Sequence, residues 1–280
     1  MQVPSKIDPK VLIERYDAFL FDAYGVLVHR DGALPGAVSF LNLLKQHGKP
    51  YFIVTNSAAR LEINAALRYR AFGLPIEPEQ IVCAGALIAP YLLSQSLTHR
   101  RCGVLGPQDS FRFVERSGAC AVPVTEPFDA LVIGDQVGFP FLEGMDAALS
   151  HLIRRFDQNL PIHLILPNPD LIFPGSNGFG MTCGAMARVI ESVLEQRYPL
   201  REDTRFKILG KPMPALLEEA LLRAGTRNAI MLGDQIETDI LAAQSAGIDS
   251  ALLSGGVADF AHQGRQVRAM PNFLIAGLET

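Results

Sequence analysis

Short apolar runs alternate along this chain with longer stretches whose apolar residues recur every three or four positions. The first part reads AFLFDAY, AVSFLNLLKQHG, PYFIVTN, LEINAALRYRAFG and QIVCA in succession. Unbroken apolar runs ending in Gly or a polar residue predict strands buried on both faces, and the spaced runs predict amphipathic helices. Strand, helix, strand, helix in that order predicts a parallel sheet. The rhythm returns towards the C-terminus as FKILG, PALLEEALLRAG, NAIMLGD, DILAAQSAG and DSALLSGG, so the two ends are expected to complete one sheet. Between them, RCGVLG, DALVIGD and IHLILPN predict further strands, and FRFVERSG and LEGMDAALSHLIRRF further helices. The expected organisation is a parallel α/β core over residues 1–84 and 174–280 with an α/β cap inserted over 85–173. The crossings are expected at CAGA and NPDLIFPGSNG.

Composition narrows the picture. With 280 residues, 49% of them hydrophobic, the chain has material for a full core. A net charge of -4 and no stripe of Lys and Arg interleaved with aromatics argue against a nucleic-acid partner. The charged N-terminal stretch does not suit a signal peptide, and no apolar run is long enough to span a bilayer, so a cytoplasmic protein without a membrane partner is expected. Cys83, Cys102, Cys120 and Cys183 form no Cys-x-x-Cys pair and are read as buried thiols. Met181, Met186 and the small residues around them are read as a helix start packed on the sheet.

The candidate chemistry lies where strands end. Asp22 closes the run AFLF, and Gly25 then releases the chain, which puts a carboxylate at the carboxyl edge of a parallel sheet. Thr55 and Asn56 follow the strand YFIV before a helical segment, a setting suited to phosphate. Lys211 follows FKIL. Asp234 ends AIML, and Asp239 stands at the beginning of DILAAQSAG. Two carboxylates at one strand edge repel unless a cation separates them, and hard oxygen ligands select Mg²⁺. Each signal alone has a plain structural reading, in turns, caps or a solvated lysine. Together they are the parts that phosphoryl transfer through a covalent carboxylate requires.

The stretches DAYGVLVHRDGALPGA, FIVTNSAAR, LGKP and GDQIETDI resemble, in order, the four motifs of the haloacid dehalogenase superfamily. LPGA after the first motif, the place of the inserted unit and the segment NPDLIFPGSNG resemble its class IIA branch, the NagD-like and p-nitrophenyl phosphatase type. The resemblance implies a Rossmann-like core, with the active site between core and cap. It implies that Asp22 attacks phosphorus, Thr55 and Asn56 hold phosphate oxygens, and Lys211 bridges nucleophile and phosphate. It implies Mg²⁺ held by Asp22, the Tyr24 backbone carbonyl and Asp234, with Asp239 orienting a metal-bound water or the lysine. The substrate implied is a small-molecule phosphate ester, and the helix LEGMDAALSHLIRRF admits a homodimer.

One residue departs from the pattern. Family phosphatases carry a second Asp two positions after the nucleophile as general acid and base, and here Tyr24 stands there. A backbone carbonyl serves a metal whatever the side chain, but a phenol is a poor base at neutral pH, so slow turnover is expected. Asp-Ala-Tyr-Gly also resembles the first motif of the metal-free 2-haloacid dehalogenases, where the leaving halide needs no proton. A phosphometabolite-binding protein with little catalysis is the third reading.

Overall fold

The computed structural model describes residues 4–175, 178–254 and 269–279. The chain first lays down β1 (Ser5–Lys6), β2 (Ala18–Phe21), β3 (Tyr51–Thr55) and β4 (Ile81–Cys83). It then leaves to build β5 (Arg101–Leu105), β6 (Cys120–Pro123), β7 (Ala130–Ile133), β8 (His163–Leu166), a hairpin of β9 (Ile172–Gly175) and β10 (Gly178–Met181), and β11 (Lys207–Ile208). It returns with β12 (Ala229–Gly233), β13 (Asp249–Leu253) and β14 (Phe273–Ile275). The helices are α1 (Pro9–Arg15), α2 (Ala37–Gln46), α3 (Glu62–Ala71), α4 (Ile88–Ser94), α5 (Gln108–Glu115), α6 (Phe141–Asp157), α7 (Cys183–Arg197), α8 (Ala215–Ala224) and α9 (Leu241–Ala246).

The core sheet runs β1-β14-β13-β12-β2-β3-β4, with parallel pairing throughout. Inside it, between β12 and β3, lies β2, whose four residues are all buried. Alternation sends Phe19 and Phe21 to one face, where each meets Phe40 of α2 edge-on at 6.1 Å. Ala18 and Leu20 point to the other face, against Leu216, Leu217 and Ala220 of α8. Apolar residues on both faces are what a sheet covered by helices on each side demands. The N- and C-terminal segments thus share one sheet, as the repeated rhythm predicts.

The second sheet runs β11-β8-β7-β5-β6, again parallel. Here the structure corrects two expectations. FKIL does not complete the core sheet: Lys207 pairs with Ile165 and Ile208 with Leu166 of β8. Nor does the cap end at residue 173, because Met186, Ile190 and Leu194 of α7 pack with Leu131, Leu164 and Leu166 of the cap sheet. Apolar alternation reports that a segment is a strand, not which edge it joins, and a strand with two paired residues gives the weakest such signal.

Smaller differences have local causes. Cys83, Cys102 and Cys183 are buried, but Cys120 is exposed on β6, the edge strand of the cap sheet. Met181 ends β10 with its side chain 46% exposed, while Met186 lies buried inside α7. The segment read as the hinge NPDLIFPGSNG folds in part as the β9–β10 hairpin, in antiparallel register from Ile172 opposite Met181. Its Ser176 and Asn177 lie outside the described residues. Among the described residues no helix is long and apolar enough to cross a membrane.

Candidate active site

Parallel register sets the site. Phe21 of β2 lies beside Leu232 of β12, so the residues that follow, Asp22 on one strand and Gly233–Asp234 on the other, leave the sheet side by side. The Asp22 N–H donates to the Leu232 carbonyl at 2.9 Å and fixes that alignment. Oxygens of Asp22, Asp234 and Asp239 all lie within 4.8 Å of one another, and all three residues are buried.

Lys211 enters this group from the segment after β11 and is 1% exposed. Its Nζ donates to Asp22 Oδ1 at 2.6 Å, to Asp239 Oδ1 at 2.6 Å and to the Val54 carbonyl at 2.8 Å, which satisfies all three ammonium protons. Its backbone is clamped by Asn56, which accepts from the Lys211 N–H at 2.7 Å and donates to the Lys211 carbonyl at 3.0 Å. Burial works against the ammonium, but the Asp22 and Asp239 carboxylates outweigh it and hold the lysine charged. Asp22 is pushed towards its neutral form: burial, opposed by Lys211 and aided by Asp239, lifts it to about 6.

Asp239 does not open a regular helix. It sits in a π-helical turn, Ile236–Ile240, ahead of α9, with Oδ2 accepting from the backbone N–H groups of Asp234 and Gln235 at 3.1 Å each. With Oδ1 on the lysine, both of its oxygens are engaged, so its geometry suits positioning of Lys211 and of the Asp234 loop. The close approach requires glycine at Gly233, where a Cβ would lie 2.2 Å from that of Asp239. Gly25 is held at φ +86° beside Asp234, and a Cβ there would meet Asp234 Oδ2 at 2.3 Å.

The donor set fits a hard divalent ion. Three carboxylates face one ammonium, which leaves two negative charges in a buried space. Asp22 and Asp234 could hold such an ion through their carboxylates, and among the described residues the Tyr24 carbonyl accepts no backbone hydrogen bond.

Above this group opens a cavity of about 450 Å³ between core and cap, with Asp22, Tyr24, Thr55 and Asn56 on its wall. The Tyr24 ring lies edge-on to Phe173 of the β9–β10 hairpin at 6.3 Å and under the Arg68 guanidinium at 5.8 Å. Thr55 is buried, its Oγ1 accepting from the Ser57 N–H at 3.3 Å. The structure brings the residues picked out from the sequence together: Asp22, Tyr24, Thr55, Asn56, Lys211, Asp234 and Asp239 converge at one sheet edge. The sequence reading passes over Asp170, which receives the Asn56 side-chain amide at 3.2 Å and lines the same cavity. Burial raises Asp170 to about 7, opposed by Lys211 and aided by Asp22 and Asp239. Its signal is weaker than that of Asp22, since Pro167, Asn168 and Pro169 separate it from the strand IHLIL.

A family model described as haloacid dehalogenase-like hydrolase matches residues 19–120, and a second, HAD-hydrolase-like, matches 208–279. The chain belongs to the haloacid dehalogenase superfamily. Within that superfamily it falls in the class IIA, NagD-like branch. It is 26% identical to the ribonucleotide monophosphatase NagD of Escherichia coli K12, over 84% of this chain and 86% of that protein. A crystal structure of a possible sugar phosphatase of the superfamily from Cytophaga hutchinsonii superposes with a TM-score of 0.83 at 28% identity, covering 100% of this chain and 99% of that one. A glycerol phosphate phosphatase from Mycobacterium tuberculosis, crystallised in complex with calcium, shares the fold with a TM-score of 0.76 at 24% identity, over 96% of this chain and 75% of that one.

Proposed function

We propose that this protein hydrolyses small phosphomonoesters with the help of a divalent ion, Mg²⁺, through an aspartyl-phosphate on Asp22. The observation that carries the reading is the buried group of Asp22, Asp234 and Asp239 around the Lys211 ammonium, set beneath a cavity open to a small molecule. The relatives of this superfamily branch, phosphatases by name, support it.

In the first step an Asp22 oxygen attacks phosphorus and the bond from phosphorus to the ester oxygen breaks, the leaving oxygen taking its proton from water in the cavity because position 24 offers no carboxylic acid. In the second, water attacks the phosphoryl group, inorganic phosphate leaves and the Asp22 carboxylate returns. Lys211 holds Asp22 in place and offsets the charge of the phosphoryl oxygens, while Asp239 keeps the ammonium aimed. Thr55 and the Asn56 segment receive phosphoryl oxygens at the cavity floor. Mg²⁺, held by Asp22, Asp234 and the Tyr24 carbonyl, would supply Lewis-acid charge neutralisation and keep Asp22 ionised.

A metal-free dehalogenase fits less well, because it leaves Asp234 and Asp239 crowding Asp22 with one ammonium among three carboxylates. The deciding experiment is hydrolysis of p-nitrophenyl phosphate, whose leaving group needs little protonation. Turnover that depends on Mg²⁺ and is lost in Asp22→Asn is the expected result. Chloride release from L-2-chloropropionate without metal, or ligand binding without turnover of any ester, would replace this reading with one of its rivals.

A further inference from the structure

The cavity extends past the phosphoryl-handling group, and its core-side wall carries three arginines. Arg30 comes from the segment after β2, Arg60 from the segment after β3 and Arg68 from α3. Arginines elsewhere on the chain are commonly matched: Arg70 with Glu77, Arg116 with Glu62, Arg201 with Asp203. Among the described residues Arg30, Arg60 and Arg68 make no ion pair. Arg68 is nevertheless fixed. It stacks over the rings of Tyr24 at 5.8 Å and Phe72 at 5.3 Å and donates to the Arg30 carbonyl at 3.0 Å, which leaves most of its fork free.

Two carboxylates share the wall. Asp170 is tied to Asn56, and Asp135 lies in the field of Arg60 without pairing with it. Neither answers Arg30 or Arg68. The scissile phosphoryl group has its own positive partner in Lys211, so these guanidinium groups are not needed beneath it. An alkyl tail would cover them without replacing their water, which costs free energy, and hydroxyl groups would leave their charge unanswered. A carboxylate or a phosphate would take them up through paired N–H donors.

We propose that the substrate carries a second anionic group, a carboxylate or a further phosphate, at the end remote from its scissile phosphoryl group, received by Arg30 and Arg68 with Arg60 adding to the field. This rests on the phosphatase reading and narrows it to doubly anionic esters.

The test compares kcat/KM for three matched esters: 3-hydroxypropyl phosphate, 3-phosphooxypropanoate and propane-1,3-diol bisphosphate. At least one anionic ester should be preferred by about tenfold or more, through KM, and the preference should shrink as salt rises from about 20 mM to about 200 mM, because Arg30 and Arg60 are exposed and Arg68 is only half-buried. Which ester is preferred tells carboxylate from phosphate. The Arg30→Gln/Arg68→Gln variant should bring the ratio near unity. Should that variant melt early, Arg30→Gln/Arg60→Gln is read instead and should lower the ratio several-fold.

Three esters turned over within about threefold of one another, or a preference that survives both variants, overturn the inference. So does turnover of p-nitrophenyl phosphate with none of the three esters accepted. Failure on p-nitrophenyl phosphate as well brings down the phosphatase reading and this inference with it.

Discussion

Tyr24 is the residue that most limits what this site can do. Its ring is held between Phe173 and Arg68, away from the role of a carboxylate that donates and recovers a proton. Tyr24→Asp should therefore raise turnover of alkyl phosphates by about 10²-fold and leave p-nitrophenyl phosphate nearly unchanged, measured as kcat on both. Asp170 gives a prediction of another kind. Its folded-state pKa of about 7 lies above the ordinary carboxylate value, so from about pH 4 to pH 7 the native protein keeps a proton that the unfolded chain has released. The metal-free protein should lose stability as pH rises through that window, on the order of a few kcal/mol, by urea unfolding. Asp170→Asn should flatten the upper part of the curve; an unchanged slope would mean the carboxyl is ionised throughout.

Elements rather than single residues explain what the sequence made legible. Asp22, Lys211, Asp234 and Asp239 could be read because each stands near the end of a strand that apolar runs make visible. The β9–β10 hairpin escaped because Pro, Gly and Asn read as a hinge, and its pairing depends on what it faces across the cavity. The π-helical turn at Ile236–Ile240 escaped too, since periodicity cannot separate a widened turn from the first turn of a helix. That turn makes its own prediction. It brings Asp239 against Gly233 so closely that Gly233→Ala must push the carboxylate off Lys211. Turnover should fall at least about tenfold with the fold retained, judged by kcat beside a thermal melt.

At the scale of the molecule, the two halves of the core meet to build a buried site with more acid than base. Mg²⁺ should therefore stabilise the native state by mass action, by about 2.7 kcal/mol at a hundred times its dissociation constant, and Asp234→Asn should abolish the shift in Tm. The two-sheet α/β architecture was legible because its strands and helices alternate so regularly. The assignment of FKIL was not, because which sheet claims a two-residue strand is settled by the open edge of β8, and the local sequence carries no record of that edge.

The placement of β11 bears on how substrate gets in. Ile208 is the last residue of the cap sheet, and Lys211, three residues later, is anchored to the core by Asn56, Asp22 and Asp239. This crossing ties the cap sheet to the core within three residues of the ammonium, so the mouth is closed by the chain on that side. Substrate should therefore reach Asp22 from the side away from β11, while the lysine holds the nucleophile from behind.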